Sequence, residues 1–188
     1  MNKVLFLVTL GFSVVFSTNA SLINFDDLND PDGTALSTYD GFTWKNFYLS
    51  NGADDATSYP ARVSPNNFIY NYSSFGGNPE ITSSGTFNLV SAYLTAPLTT
   101  DGSITIYGLL DGKQVWQQTV EINHLTPTFV YFNNTNEIND VVFHTGDVQG
   151  VAIDNLKVWT FAAVPEPDTY LSALGLVGMF FLLLKKRI

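Results

Sequence analysis

The sequence predicts an all-β domain, a jelly-roll-like β-sandwich, set between an N-terminal export signal and a C-terminal membrane helix. Three observations carry the fold class. β-branched and aromatic residues recur in short runs, many of them alternating with polar ones. Turn signals separate these runs at short intervals: Asp111-Gly112 is a two-residue hairpin signal, and Asp101-Gly102 ends another connection. No segment before the tail sustains a helical period, and six or more strands at such spacing suit a sandwich or jelly roll.

Taken in order, "INFDDL" opens the domain. The region 29–85 is looser, with clusters of Asn, Asp, Gly, Ser and Pro, and holds two or three strands around "FTWKNFYL" and "NNFIYNY". Strands follow at Phe87 to Ala96, Ser103 to Leu110, Lys113 to Ile122, Thr128 to Phe132, Ile138 to Thr145 and Gly150 to Phe161. No internal repeat and no second boundary interrupts the expected domain, residues 21–162.

The flanks read as targeting segments. Lys3 gives a small positive start, Val4 to Phe16 an apolar stretch, and Thr18-Asn19-Ala20 a small-residue end. This pattern is that of a signal peptide, residues 1–20, removed by signal peptidase after Ala20. A retained membrane helix fits less well, because the apolar stretch is short and ends in small polar residues. At the other end, Tyr170 to Leu184 carries no charge and apolar residues on every face. As a helix it spans about 22 Å at ~1.5 Å per residue, short of the ~30 Å bilayer core. The basic tip Lys185, Lys186 and Arg187 then suits the cytoplasmic side, with the acidic domain outside.

The chain contains no cysteine, which excludes a disulfide framework, thiolate zinc sites and cysteine nucleophiles. Residues 21–164 carry 15 acidic and four basic residues, a net charge of −11. That balance argues against nucleic acid as a partner, whose phosphates are held by basic residues. It suits a solvated extracellular surface and divalent cations.

The C-terminus resembles a PEP-CTERM sorting signal. The matching residues are Val164, Pro165, Glu166 and Pro167, then the apolar helix 170–184, then the basic tip 185–187, so that residues 163–188 form the signal. The resemblance implies a protein exported by a Gram-negative, exopolysaccharide-producing bacterium, its tail recognised by an exosortase-type membrane protease. The order of "INFDDL" first and "VAIDNLKVWTF" last also resembles carbohydrate-binding-module jelly rolls. That resemblance implies that the first and last strands lie side by side, and that a Ca²⁺ often ties them through acids at positions such as Asp26, Asp27 and Asp154.

Each implication has its own chemistry. Ca²⁺ needs six to eight oxygens, and Asp26, Asp27, Asp30, Asp32 and Asp154 supply carboxylates. Asp154 stands among Val151, Ile153, Leu156 and Val158, where an unpaired carboxylate is costly. The loop "DLNDPDGTALSTY" does not follow the EF-hand frame, so the alternative is a set of solvated loop acids with Asp154 accepting backbone N–H groups. Sugar sites pair an exposed aromatic face with amide, carboxylate or guanidinium groups. Trp44, Tyr48, Tyr59, Tyr72 and Trp116 are the aromatic candidates, with Gln114 and Gln118 on the strand face of Trp116. The alternative is that these rings fill the core. His124 and His144 have no partner motif, and no catalytic signature of a hydrolase or phosphate-binding loop is present. The functional expectation is an exported cell-surface or matrix protein that binds exopolysaccharide or another glycan without catalysis. A purely structural envelope protein is the competing class, and a glycoside hydrolase the third.

Overall fold

In the computed structural model, the described residues are 18–51, 61–72, 74, 76–97, 101–146 and 148–161. They form ten strands: β1 (Thr18–Ile23), β2 (Ala35–Tyr39), β3 (Phe42–Asn51), β4 (Asn67–Tyr72), β5 (Glu80–Thr95), β6 (Gly102–Leu110), β7 (Lys113–Ile122), β8 (Thr128–Tyr131), β9 (Ile138–His144) and β10 (Gly150–Phe161). The expected signal peptide up to Ser17, Tyr59 and the sorting tail lie outside the described residues. Among the described residues no helix is long and apolar enough to cross a membrane.

Every pairing is antiparallel. The path runs β1-β10-β4-β3-β5-β9-β6-β7, with β2 added to β3, β8 added to β5, and β10 also paired to β5. Two long strands explain this branching. β5 pairs with β3 and β9 through its first residues, then with β10 and β8 through residues 87–95. Its register on β9 shifts between Thr82 and Phe87, where Gly85 lies. A strand that changes partners through such a bend is the corner device of a β-sandwich. β10 uses one edge for β4 at residues 150–153 and then for β1 at 156–161, while β5 occupies the other. First and last strands are therefore neighbours.

One core fills the space between. It includes Phe25, Phe42, Trp44, Phe47, Phe87 and Phe143, several of them edge to face at centroid distances of 5.0–6.2 Å. Such tilted geometry suits the ring quadrupoles. Two details follow from sequence chemistry. Asp111 and Gly112 both take positive φ, 51° and 74°, as a tight two-residue hairpin between β6 and β7 requires. Gly108 lies opposite Trp116, and a Cβ there would stand 2.1 Å from the indole Nε1. The missing side chain is what lets the indole lie over the neighbouring strand.

The structure departs from the sequence reading at the start of β5 and adds detail at two other places. β5 begins at Glu80, seven residues before the expected start, because the polar run "EITSSGT" pairs through its backbone with β3 and β9. β2 is the third strand of the 29–85 region, mostly exposed and attached to β3 alone, so it lacks the apolar alternation that marks a half-buried strand. β1 begins at Thr18, so Thr18, Asn19 and Ala20, which pair with Phe161, Thr160 and Trp159, precede the expected cut.

Candidate functional site

Two assemblies draw together the chemistry-bearing residues: a buried acid node, and an exposed aromatic face beside it on β10.

The node forms where β10 meets the 61–67 segment. Asp154 is fully buried. Its Oδ2 accepts the backbone N–H groups of Val63 (2.6 Å) and Ser64 (2.7 Å). Its Oδ1 accepts the Ser64 hydroxyl (2.9 Å) and the Asn155 N–H (2.6 Å). Burial pushes the Asp154 carboxyl up from its ordinary range, and these donors offset part of that rise. Asp26 joins the same segment from the other side: its Oδ1 accepts the N–H groups of Asn66 (2.9 Å) and Asn67 (3.0 Å). Asn67 closes the ring by donating Nδ2 to the carbonyls of Phe25 (3.0 Å) and Leu28 (2.8 Å). Of the acids considered for Ca²⁺, Asp26 and Asp154 thus converge on one loop. Asp27 faces away and accepts the Tyr39 hydroxyl at 2.5 Å. Burial first, and then the Asp27 carboxylate, push the Tyr39 hydroxyl up. Asp32 accepts the Asn51 N–H at 3.0 Å. Among the described residues no three His, Cys, Asp or Glu side chains stand close enough to hold a metal ion.

The aromatic candidates separate by burial. Trp44 is 2% exposed, packed against Phe25, Phe42 and Phe47, with Nε1 donating to the Tyr39 carbonyl at 3.0 Å. Trp116 is 9% exposed and lies against Phe132. Neither presents a ring face to solvent. Tyr48 is half-buried in a row with Tyr70 and Tyr72. Gln118 donates Nε2 to the Tyr131 carbonyl at 3.2 Å, which places it at the margin of the exposed face.

That face was not anticipated, and backbone register creates it. Compensating irregularities sit side by side on β10 and β5. Asn155, at φ 51°, is an extra residue on β10, and Val90 is an extra residue on β5, since Lys157 pairs with Ser91 but Val158 with Leu89. Phe87, Leu89, Leu156 and Val158 consequently point inward and are buried. Asn88, Ser91, Lys157 and Trp159 share the outer face. Two rows result. Leu22, Lys157, Ser91 and Tyr131 lie in register across β1, β10, β5 and β8. Ala20, Trp159 and Asn88 form the next row, and Tyr93 with Phe129 extends the surface along β8, ring centroids 5.2 Å apart. Trp159 is 45% exposed, Tyr131 61% and Phe129 56%.

Between Trp159 and Tyr131 runs a shallow groove of about 160 Å³, lined also by Asn88, Leu89, Val90, Phe132, Asn133, Asn134 and Thr135. It is too small to enclose an organic ligand, for which pockets of roughly 300–1,000 Å³ are usual. A ligand has to lie across it. The Asn134 amide Nδ2 is buried there without an acceptor. The face therefore offers flat apolar rings beside amide groups.

A second pair, His124 and Asp101, lies elsewhere on the surface. The imidazole Nδ1 and the Asp101 carboxylate are 2.5 Å apart, and the His124 N–H donates to the same oxygen at 2.8 Å. These bonds, the backbone one foremost, hold the Asp101 carboxyl below its usual range.

No protein-family model and no curated protein sequence matches the chain. Solved structures show similarity at low identity. The Stig cyclase Fisc from Fischerella sp. TAU, in complex with (3Z)-3-(1-methyl-2-pyrrolidinylidene)-3H-indole, is similar at a TM-score of 0.48 and 11% identity, covering 76% of this chain and 98% of its own. The K2 cleaved adhesin domain of Lys-gingipain gives 0.43 and 11%, covering 77% and 98%. A CBM4 gives 0.35 and 15%, covering 61% and 86%. At these identities and scores, the ligands and partners of those proteins do not transfer to this chain.

Proposed function

We propose that this is an exported, surface-associated protein whose jelly-roll-like β domain binds a glycan without catalysis, through the outer face of β1, β10, β5 and β8. The observation that supports this most is the exposure of Trp159, Tyr131 and Phe129 on one strand surface. Pyranose rings present apolar C–H faces that stack on aromatic rings, and hydroxyls that satisfy amides. The shallow groove suits a polymer laid across it. The partner fits the exopolysaccharide that the tail resemblance implies, and delivery rests on residues 1–20 and 163–188 through signal peptidase and an exosortase-type protease.

Retention of the full-length chain in polysaccharide-containing gels tests the binding. Trp159→Ala and Tyr131→Ala each weaken retention by roughly 30-fold, the size of a hot-spot truncation of about 2 kcal/mol. Both variants stay folded, because Tyr131 is 61% and Trp159 45% exposed. Trp44→Ala instead loses about 3–5 kcal/mol of stability as a core truncation. Wild-type protein passing unretarded through every glycan would leave the structural-protein class in its place. Delivery is tested apart: a reporter carrying residues 159–188 behind a signal peptide loses its tail in a host with an exosortase. Processing that survives Pro165→Ala with Glu166→Ala rules out the sorting motif.

A further inference from the structure

We infer that the glycan is an acidic one, a polysaccharide bearing uronate sugars, and that Lys157 receives the sugar carboxylate. This rests on the glycan reading above and names the ligand class for that face.

Charge placement carries the inference. The domain has four basic residues against 15 acids in residues 21–164. Lys45 is committed to Glu80, its Nζ 2.8 Å from the carboxylate. Arg62 lies beside the acid node in sequence, and Lys113 follows the β6–β7 turn. Lys157 stands in the row Leu22, Lys157, Ser91, Tyr131, exposed, with Trp159 two residues along on the same face. None of the described ion pairs involves it. The acid on the same face of β10, Asp154, is buried and turned to the donors of Val63, Ser64 and Asn155. A strongly acidic domain thus sets an uncommitted ammonium at the middle of its aromatic surface.

Geometry supports the same ligand. Neighbouring strands are about 4.8 Å apart, so the row from Leu22 to Tyr131 crosses about 14 Å, with Lys157 inside it. A polymer lying over Trp159 and Tyr131 passes the lysine and can present a ring substituent to it. At physiological ionic strength the Debye length is about 8 Å, so a carboxylate resting on this ammonium feels it ahead of acids elsewhere on the domain. An exposed pair contributes up to about 1 kcal/mol, a preference of roughly three- to fivefold for an acidic over a neutral sugar. A lysine on an apolar strand surface also has a plainer use, keeping that surface from pairing with a second copy. The two uses make different predictions.

The experiment compares polygalacturonate with its carboxyl-reduced form, which keeps the backbone and removes the charge. Binding of the full-length chain to each is measured by titration at about 0.15 M salt. The wild type prefers the uronate polymer by roughly three- to fivefold. Lys157→Met erases the preference and leaves affinity for the reduced polymer unchanged, whereas Lys157→Arg retains it. Trp159→Ala weakens both polymers alike. Equal wild-type affinity for the two polymers, or a preference that survives Lys157→Met, overturns this inference and leaves the glycan reading standing. Self-association of Lys157→Met with an unchanged preference assigns the lysine to keeping copies apart, and so overturns it too. Binding to neither polymer overturns this inference, and the glycan reading falls with it only when every other glycan also fails to retard the chain.

Discussion

Replacing Asp154 with asparagine tests whether hydrogen bonds, rather than an ion, fasten the 61–67 segment to the sheet. The side chains are nearly the same size, so packing is preserved and only acceptor capacity and charge change. Asp154 now serves four donors, two at each oxygen. An amide retains a single acceptor oxygen, so two of these donors face an NH₂ group. If they are the Val63 and Ser64 N–H groups, neither has another acceptor at hand. Each buried donor left unpaired costs about 1–3 kcal/mol. Removing a buried charge returns part of this, because burial already pushes the Asp154 carboxyl up. The net expectation is a loss of about 3 kcal/mol, or about 6–12 °C in melting temperature for a domain of this size. Ser64→Ala removes one donor to the same carboxylate and costs about 1 kcal/mol. The assay is urea unfolding at neutral pH, with and without chelator. A Asp154→Asn loss under about 1 kcal/mol would refute the hydrogen-bond account. A wild-type midpoint that falls with chelator would assign the corner of Asp26 and Asp154 to Ca²⁺, whereas the hydrogen-bond account expects no change.

Two other perturbations read the fold elsewhere. Burial, then Glu80, raise the Asp140 carboxyl to about 6, Lys45 opposes them, and its Oδ1 is buried without a partner. A folded pKa above the unfolded value means stability is greatest below the unfolded pKa and is lost as pH rises from about 4 through about 6. Asp140→Asn should therefore stabilise the protein at pH 7–8 by about 1 kcal/mol after allowance for solvent screening, and the gain should vanish near pH 4. Unfolding curves across that range check it, and a gain equal at both ends would show that charge is not the cause. Gly108→Ala puts a methyl where the Trp116 indole lies and should cost about 1–3 kcal/mol by overpacking. Trp116→Phe in the same chain should recover part of that loss, as a double-mutant cycle in urea would show, and purely additive effects would deny the contact.

Sequence chemistry is local, and the local features came through. The runs from residue 102 onward are strands with bounds close to those expected, because each alternates or is rich in β-branched residues. Asp111-Gly112 turns as a hairpin because both residues tolerate positive φ. The lone carboxylate among apolar neighbours at Asp154 is buried and fully partnered, as the cost of burying it demands. The polar start of β5 was not legible, since its pairing depends on which strands flank it and not on its own side chains.

What the sequence by itself determined is therefore the β character, the acidic balance, the absence of thiol chemistry and the short list of rings and carboxylates able to act. Which ring faces outward was decided only by the tertiary structure. Trp44 and Trp159 both stand beside polar residues in strand-like runs, yet one is sealed in the core and the other meets solvent. The physical reason is that side chains alternate with a period of two, so one extra residue reverses every facing beyond it. Asn46, at φ 59°, shifts β3 so that Phe42 and Trp44 point inward and then Phe47 and Leu49 do. Asn155 and Val90 do the same for β10 and β5, carrying Lys157 and Trp159 to the outside. Such an extra residue is defined by the strand opposite it. It becomes visible only once β10 lies against β5, and with it the aromatic face and the lysine at its centre.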